Sequence, residues 1–249
     1  MVGPTTSLTP LSRADGSASY QCPATGANIL GSVNAPIELP GRRDALKPED
    51  ATVEVFIKPG TAPGGVGERY VEGIIKSMLG RLVLGREKSY ARRGIVVTLA
   101  IVGGESKPRG DSYLTVLPAL LQTSLLALLS ASVPLSMTFS ATVLGVNTLG
   151  EIIREPAPTD AAAATSLHVL AFSSKGHLLL NESRGSFDFD TWERIRQRAL
   201  TICHGTLSGS PDGDVAMVED VDGQPLEGVV RETVEDKYHQ DYAWKIDAA

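Results

Sequence analysis

Histidine and cysteine, the side chains most often used as metal ligands or catalytic nucleophiles, are few in this 249-residue chain. Zinc sites in proteins draw ligands from pairs of such residues a few positions apart, and the spacing here does not provide such pairs. We predict that the two distant cysteines are small buried hydrophobes in a reducing compartment, because they suit neither a disulfide framework nor a zinc site. The residues concerned are Cys22, Cys203, His168, His177, His204 and His239.

Short motifs with a known catalytic mechanism are also absent. The chain has no Gly-x-Ser-x-Gly elbow, no phosphate loop ending in Gly-Lys-Ser/Thr and no His-Glu-x-x-His metal motif. The glycine-rich segment from Pro59 to Gly67 resembles a phosphate-cradling loop in composition alone. It lacks the lysine and is stiffened by prolines, so the sequence predicts an ordinary connecting loop.

Charge is distributed unevenly along the chain. The net charge is −6, which argues against a free-standing nucleic-acid binder with a broad basic face. Residues 58 to 109 nevertheless hold ten basic side chains against four acidic ones, including the adjacent pair Arg92 and Arg93, whereas acids dominate from Asp212 onward. A basic middle and an acidic tail fit either a subunit that offers RNA one edge and buries or solvates the rest, or simply a solvated surface.

The composition is that of an ordinary globular protein, with 42% hydrophobic and 21% charged residues. The longest apolar stretch, Leu114–Leu129, is interrupted by polar residues and falls short of the roughly 18 apolar residues of a membrane span. We therefore predict a buried helix there and expect no association with a membrane. The N-terminus lacks the basic and then apolar pattern of a secretory signal.

Hydrophobic periodicity predicts alternating strands and helices in the first half. Thr52–Ile57 alternates with period two and predicts a half-buried strand, and the β-branched run Ile95–Val102 predicts a strand covered on both faces. Asp111 or Ser112 is expected to cap an apolar helix that runs to about Ser130. Another helix is predicted to bury the face formed by Val66, Tyr70, Ile74, Ile75, Met78, Leu79 and Leu82.

The second half continues this pattern. Met137–Leu144 is predicted to be a strand, and Leu167–Phe172 and His177–Asn181 to form a hairpin with Gly176 at a positive φ. After it, Asp188 or Asp190 caps a helix that buries Trp192, Ile195, Ala199, Ile202 and Cys203. The predicted organisation is an N-terminal tail (1–10), a main domain (11–208), an acidic flexible insertion (209–225) and a C-terminal docking helix (226–249).

The opening of the chain resembles the RNase PH family. The turn Ser12-Arg-Ala-Asp-Gly-Ser-Ala18, the small-residue hairpin and Ser-Val-x-x-Pro strand within Gly26–Glu38, and the basic pair Arg42-Arg43 match that family in residues and in spacing. The resemblance extends to about residue 204. It implies an α/β (α+β) RNase PH fold, which is ribosomal protein S5 domain 2-like and built from βαβ units.

The family contains both phosphate-dependent 3′ exoribonucleases and inert subunits of the eukaryotic RNA exosome ring, and their site residues differ. Active members bind phosphate with a Gly-Gly-Thr-Arg-type turn, which corresponds here to Leu114–Pro118 with Leu117 at the arginine position. They also use two aspartates about six residues apart. Asp160 matches the first of these and Ser166 replaces the second. The resemblance therefore implies a vestigial site, without catalysis, metal or cofactor.

In active relatives a basic residue near the strand that leads to the phosphate turn contacts RNA, and Arg92 matches that position with Arg93 beside it. The chain is accordingly expected to be a structural subunit of an exosome ring in the nucleus, including the nucleolus, and the cytoplasm. It would scaffold the hexamer and line the RNA channel during rRNA processing and RNA degradation. Its implied partners are other RNase PH-like subunits, RNA-binding cap subunits, an associated hydrolytic nuclease and single-stranded RNA.

Two other functions remain open at this point. One is a nuclease, either phosphate-dependent or metal-dependent, that relies on Asp160 with help from Glu151, Glu155 or Asp188. A metal-dependent enzyme would need at least two carboxylates at one ion, which Asp160 beside an alanine tract does not suggest. The other is a self-associating binding module outside any exosome.

Overall fold

Two β-sheets share a single long helix in the computed structural model of the chain. The structure describes residues 3–38, 49–60, 64–103, 113–205 and 224–246. Within these ranges, nine strands and five helices alternate along the chain in the mixed α/β pattern that the sequence predicts.

The first sheet is mostly antiparallel and has the strand order β1-β2-β3-β5-β4. Only β4 and β5 pair in parallel. Residues 1–10 were predicted as a tail, but they include β1, which pairs along its length with β2. The strands are β1 (Thr5–Leu8), β2 (Gly16–Cys22), β3 (Ala27–Ile37), β4 (Thr52–Pro59) and β5 (Gly94–Gly103).

Strand β5 occurs where predicted, but only one of its faces is fully covered. Ile95, Val97, Leu99 and Ile101 are buried, whereas the residues between them are half-buried and Val102 is 60% exposed. The prediction of a strand covered on both faces is therefore wrong in the isolated chain. The helices that pack on this sheet cover one face, so the side chains that alternate to the other face remain accessible.

Helix α1 (Val66–Leu82) packs against β4. Its buried face is rotated from the predicted one, since Val66 is 88% and Tyr70 57% exposed while Glu68 and Val71 are buried. The cause lies at the N-terminus of the helix. There the Gly65 N–H donates to Glu68 Oε2 over 2.8 Å, and the Tyr113 hydroxyl donates to the same carboxylate. These contacts turn Glu68 inward and the two apolar residues outward.

Helix α2 (Tyr113–Ser130) is the core helix between the sheets, and every residue from Leu117 to Leu128 is buried. By length and composition it could cross a membrane, but here its side chains are enclosed by the fold. The first sheet approaches the end of α2 closely at Gly16, where an added Cβ would lie 2.3 Å from the Ala131 nitrogen. The predicted caps Asp111 and Ser112 lie outside the described residues.

The second sheet has the order β7-β6-β8-β9. Its strands β6 and β8 are buried on both faces, since Val143 and Val169 join the core that contains α2 while Leu144 and Leu170 pack with helix α4 on the other side. The elements are β6 (Phe139–Val146), β7 (Ile152–Arg154), helix α3 (Pro158–Ala163), β8 (Ser166–Ser173), β9 (Leu178–Gly185) and helix α4 (Phe189–His204).

The predicted hairpin and the helix after it are confirmed. Gly176 adopts a φ of 77° in the β8–β9 turn, as expected. The strand predicted at Met137–Leu144 runs from Phe139 to Val146 instead. Within helix α4, Trp192 is only half-buried, and its ring stacks on exposed Phe189 with 6.1 Å between centroids.

The last helix, α5 (Leu226–Ile246), lies where a C-terminal helix was predicted. Its beginning is anchored, since Leu226 is buried against α4 and His204 Nδ1 lies 2.7 Å from Glu227 Oε2. Residues 206–223, which hold most of the predicted acidic insertion, lie outside the described residues. Both cysteines are free and buried, as predicted.

Candidate functional site

A cavity of about 490 Å³ opens where the start of α2, helix α3 and the paired ends of β8 and β9 meet. Its walls are mostly small residues, including Ala161, Ala162 and Gly185. Polar groups reach it from three elements, through Thr115 of α2, Ser166 of β8 and Arg184 of β9. Its location matters because the predicted vestigial positions 117, 160 and 166 lie on these same elements.

The Leu117 side chain does not line this cavity. It is fully buried in α2 and belongs to the core between the two sheets. A leucine there stabilises the fold through apolar burial and offers no donor to an anion. The position predicted to correspond to the family's phosphate-binding arginine is therefore a packing position in this chain.

Asp160 lies on the exposed side of α3. The side of this short helix that lines the cavity presents Pro158, Ala161 and Ala162, so the carboxylate is not part of the cavity wall. The hydroxyl of the neighbouring Thr159 donates to Asp160 Oδ1 over 3.5 Å. Asp160 occupies the first turn of the helix, where an acidic side chain is favourable for the helix dipole.

Ser166 lines the cavity and is almost fully buried. Its hydroxyl contacts His168, a residue that sequence reasoning did not assign to the site. His168 Nε2 lies 2.9 Å from Ser166 Oγ, and His168 Nδ1 lies 2.9 Å from Ser183 Oγ. The Ser183 hydroxyl donates to Asn181 Oδ1, so it must accept from Nδ1–H. The Ser166 hydroxyl then donates to Nε2.

The fold disfavours the charged form of His168. Burial lowers the pKa of His168, since the charged imidazolium would lose its hydration inside the fold. The ring also packs edge-on against Phe187 with 4.6 Å between centroids. The spacing of Ser166 and His168 by two residues, which places both side chains on one face of a strand, was the available sequence signal.

Arg184 is the other residue that sequence reasoning missed as part of this site. It reaches the cavity because β9 pairs with β8 so that Arg184 lies opposite Leu167. The following residue must be glycine, since Gly185 has a φ of 103° and an added Cβ would lie 2.2 Å from the Thr165 carbonyl oxygen. A guanidinium is thus present in the cavity, but it comes from a strand and not from the phosphate-turn position.

Arg92 and Arg93 lie far from this cavity. They form the turn before β5, where both are exposed and Arg92 has a φ of 62°. The Thr52 N–H donates to the Arg93 carbonyl, and Leu84 in the same layer donates to the Pro134 carbonyl just beyond α2. The main-chain contact of Arg93 joins this turn to the start of β4, and neither arginine lines the cavity.

Comparison with known proteins finds chains that are similar to this one in sequence and in fold. The chain is 29% identical over 202 residues to the exosome complex exonuclease RRP46 homolog of rice, Oryza sativa subsp. japonica, covering 80% of this chain and 76% of the relative. The crystal structure of rice Rrp46 matches with a TM-score of 0.67 and 24% identity, covering 78% of this chain and 86% of that one. No model of a protein family matches the chain.

The chain is similar to Rrp46 in sequence and shares its fold. An archaeal exosome core subunit shares the RNase PH-like fold with a TM-score of 0.62 at 10% identity, covering 80% of this chain and 82% of that one. A chain of the Archaeoglobus fulgidus exosome, solved with RNA bound to the active site, matches with a TM-score of 0.59 at 10% identity, covering 80% and 84%. The resemblance to the RNase PH family and the predicted fold are confirmed.

Proposed function

We propose that this RNase PH-like chain is a structural subunit of an RNA exosome ring. It supports 3′-to-5′ RNA processing and degradation by scaffolding the hexamer and lining the RNA channel, and it lacks a catalytic site of its own. The observation that carries the proposal is the burial of Leu117. Active members of the family place a phosphate-binding arginine at this position, and here it holds a fully buried core side chain.

The chemistry of the cavity supports the same conclusion. Phosphorolysis needs a bound phosphate and a group that assists departure of the RNA oxygen. The cavity contains the Arg184 guanidinium and several hydroxyls, but among the described residues its lining includes no carboxylate. The Ser166 hydroxyl, which replaces the second family aspartate, is neutral and already donates to His168.

A metal-dependent nuclease built on Asp160 has less support. Metal-assisted hydrolysis requires several ligands that converge on one ion. Across the described part of the chain, no three His, Cys, Asp or Glu side chains form such a group. Two of the other carboxylates considered with Asp160 are engaged elsewhere, since Glu151 accepts from Asn147 Nδ2 and Glu155 accepts from the Cys22 thiol.

We assign RNA contact to Arg92 and Arg93, in the exposed turn before β5. Exposed guanidinium groups bind phosphates of single-stranded RNA without reading the bases. A channel lined in this way holds RNA and passes it onward, which is the role expected of a ring subunit that does not cleave. The proposed partners are other RNase PH-like ring subunits, RNA-binding cap subunits, an associated hydrolytic nuclease and single-stranded RNA.

The proposed locations are the nucleus, including the nucleolus, and the cytoplasm, where RNA processing and turnover take place. The ring itself is expected to be closed by heterologous, head-to-tail contacts between different subunits. Reconstitution with the other ring subunits of the same organism tests this proposal. Native mass spectrometry should show one copy of the chain in each closed ring, and failure of the ring to incorporate the chain would contradict the proposal.

A further inference from the structure

We propose that the groove between β1 and α5 binds an extended peptide segment of another protein, with lysine or arginine side chains facing α5. This site is separate from the cavity at Ser166 and from the Arg92–Arg93 turn. The inference does not depend on the proposed function, because it rests on the edge of a sheet and on charges that are present in the isolated chain.

The groove has a volume of about 700 Å³, which is within the usual range for ligand sites. One wall is the whole of β1 together with Gly3 and Pro4. The opposite wall is one side of α5, from Val229 to Gln240. Arg154 and Glu155, at the end of β7, close the remaining side. A strand edge facing a helix across a groove is the geometry in which proteins bind a peptide as an added strand.

Strand β1 has backbone groups available on the groove side. It is an edge strand, and among the described residues β2 is its only strand partner. The Thr9 N–H donates to the Ser17 carbonyl, so in an antiparallel ladder the odd-numbered residues Thr5, Ser7 and Thr9 point their backbone groups toward β2. The N–H and C=O groups of Thr6 and Leu8 therefore point away from the sheet. An added strand would satisfy these groups.

The helix wall is formed in advance of any partner. Thr6 Oγ1 lies 2.5 Å from Thr233 Oγ1, which fixes the middle of α5 against β1. The beginning of the helix is held by buried Leu226 and by the contact of Glu227 with His204. A groove that is already formed lowers the ordering cost of binding.

The charges on the helix wall select the occupant. Glu232 and Asp236 are one helical turn apart, and both line the groove. Glu232 accepts from Gln224 Nε2 over 3.0 Å, and within the described chain neither carboxylate has a salt-bridge partner. The two cations of the groove are close to other acids, since Lys237 Nζ lies 2.8 Å from Asp241 and Arg154 Nε lies 4.0 Å from Glu155.

Two carboxylates without cationic partners favour basic side chains in a peptide and oppose the phosphates of RNA. The alternation of a strand would place every second side chain of the peptide toward α5. The groove therefore suits a segment in which basic residues alternate with small or β-branched ones. RNA is the competing occupant, and the experiment distinguishes the two.

Fluorescence anisotropy of the full chain with labelled short peptides tests this inference. The probes are a peptide of alternating Lys and Val, its counterpart with Glu for Lys, a Lys–Val peptide N-methylated at alternate residues, and an oligouridylate RNA. In about 50 mM NaCl, where surface charges are weakly screened, we expect the Lys–Val peptide to bind best. We expect Glu232→Gln/Asp236→Asn to weaken that binding by about 5-fold or more, as the loss of two exposed ion pairs implies.

The matched control is Glu87→Gln/Glu235→Gln, which removes two exposed carboxylates that do not line the groove. It should leave peptide binding unchanged. Hydrogen exchange should show new protection of the Thr6 and Leu8 amides with the Lys–Val peptide alone. Equal binding of the Glu peptide, no effect of N-methylation, equal loss in the control variant, or stronger binding of the RNA at the same amides would each overturn the inference.

Discussion

Tyr113 donates its hydroxyl hydrogen bond to the carboxylate of Glu68, and this contact joins the first turns of α2 and α1. Glu68 is a charged residue in a buried position, and the backbone N–H of Gly65 donates to the same carboxylate. Burial raises the pKa of Glu68, but these hydrogen bonds and that from its own N–H outweigh it, so the pKa lies below its usual value. The contact is long-range in sequence and sets the rotation of α1.

Removing this hydroxyl should destabilise the fold. Tyr113→Phe leaves the Glu68 carboxylate buried with one partner fewer, and we expect a loss of about 1–3 kcal/mol in the free energy of unfolding. Denaturant titration measures the difference. Tyr70→Phe is the control, because the Tyr70 hydroxyl donates to Glu182 on the surface. That change should cost at most about 0.5 kcal/mol, and a similar loss in both variants would contradict the assigned role of Glu68.

The buried His168 should make stability depend on pH. Burial lowers its pKa in the folded state, so the unfolded chain binds more protons below the normal histidine pKa of about 6.5. Stability from this group is complete above that pH and is lost as the pH falls below it. His168→Gln should therefore flatten the profile of unfolding free energy between about pH 7 and pH 5.

The control for this measurement is His239→Gln, which removes an exposed imidazole from α5. Its profile should follow that of the unmodified chain across the same pH range. If His168→Gln also kept the full slope, the neutral imidazole bonded between Ser166 and Ser183 would not be the source of the effect.

Leu117 should behave as a core residue. Leu117→Ala is expected to cost about 2–5 kcal/mol of stability, because it removes buried methyl groups from between the sheets. Leu117→Arg, which would recreate the arginine of active relatives, should prevent folding, since it buries an unpaired charge. Leu149→Ala, at a position that is 81% exposed, is the control and should change stability by about 0.5 kcal/mol or less.

The arginine pair should affect RNA retention and leave assembly intact. Arg92→Gln/Arg93→Gln removes two exposed cations from the turn before β5. In the assembled ring, we expect this change to weaken RNA binding and to reduce its dependence on salt concentration. Filter binding at several salt concentrations measures both. Lys175→Gln, an exposed cation in the β8–β9 turn, should have no such effect, and equal RNA retention in all three proteins would contradict the assignment.

Much of the fold could be predicted because the signals are local. The period-two pattern of Thr52–Ile57 and the glycine of the β8–β9 turn each depend on a few neighbouring residues. The face of α1 could not be predicted in the same way. Val66 and Tyr70 match a helical stripe, but the contact of Glu68 with Tyr113, a residue on another helix, turns them outward.

The residues of the cavity, too, could be predicted only in part from the sequence. The resemblance to the RNase PH family predicted vestigial site positions at Leu117, Asp160 and Ser166, and of these Ser166 lines the cavity. Arg184 and His168 depend on the pairing of β8 with β9, which the sequence of either strand does not reveal. Likewise β1 is a strand because β2 pairs with it, since Thr5–Leu8 has little hydrophobic pattern of its own.

We propose that the chain shapes a ring and does not cleave RNA. The most direct measurement is RNA degradation by the purified chain alone, with inorganic phosphate and with magnesium supplied separately, beside an Asp160→Asn variant. We expect no shortening of RNA from its 3′ end under either condition and no difference between the two proteins. Phosphate-dependent or magnesium-dependent trimming by the chain, lost in Asp160→Asn, would contradict the account and identify Asp160 as part of an active site.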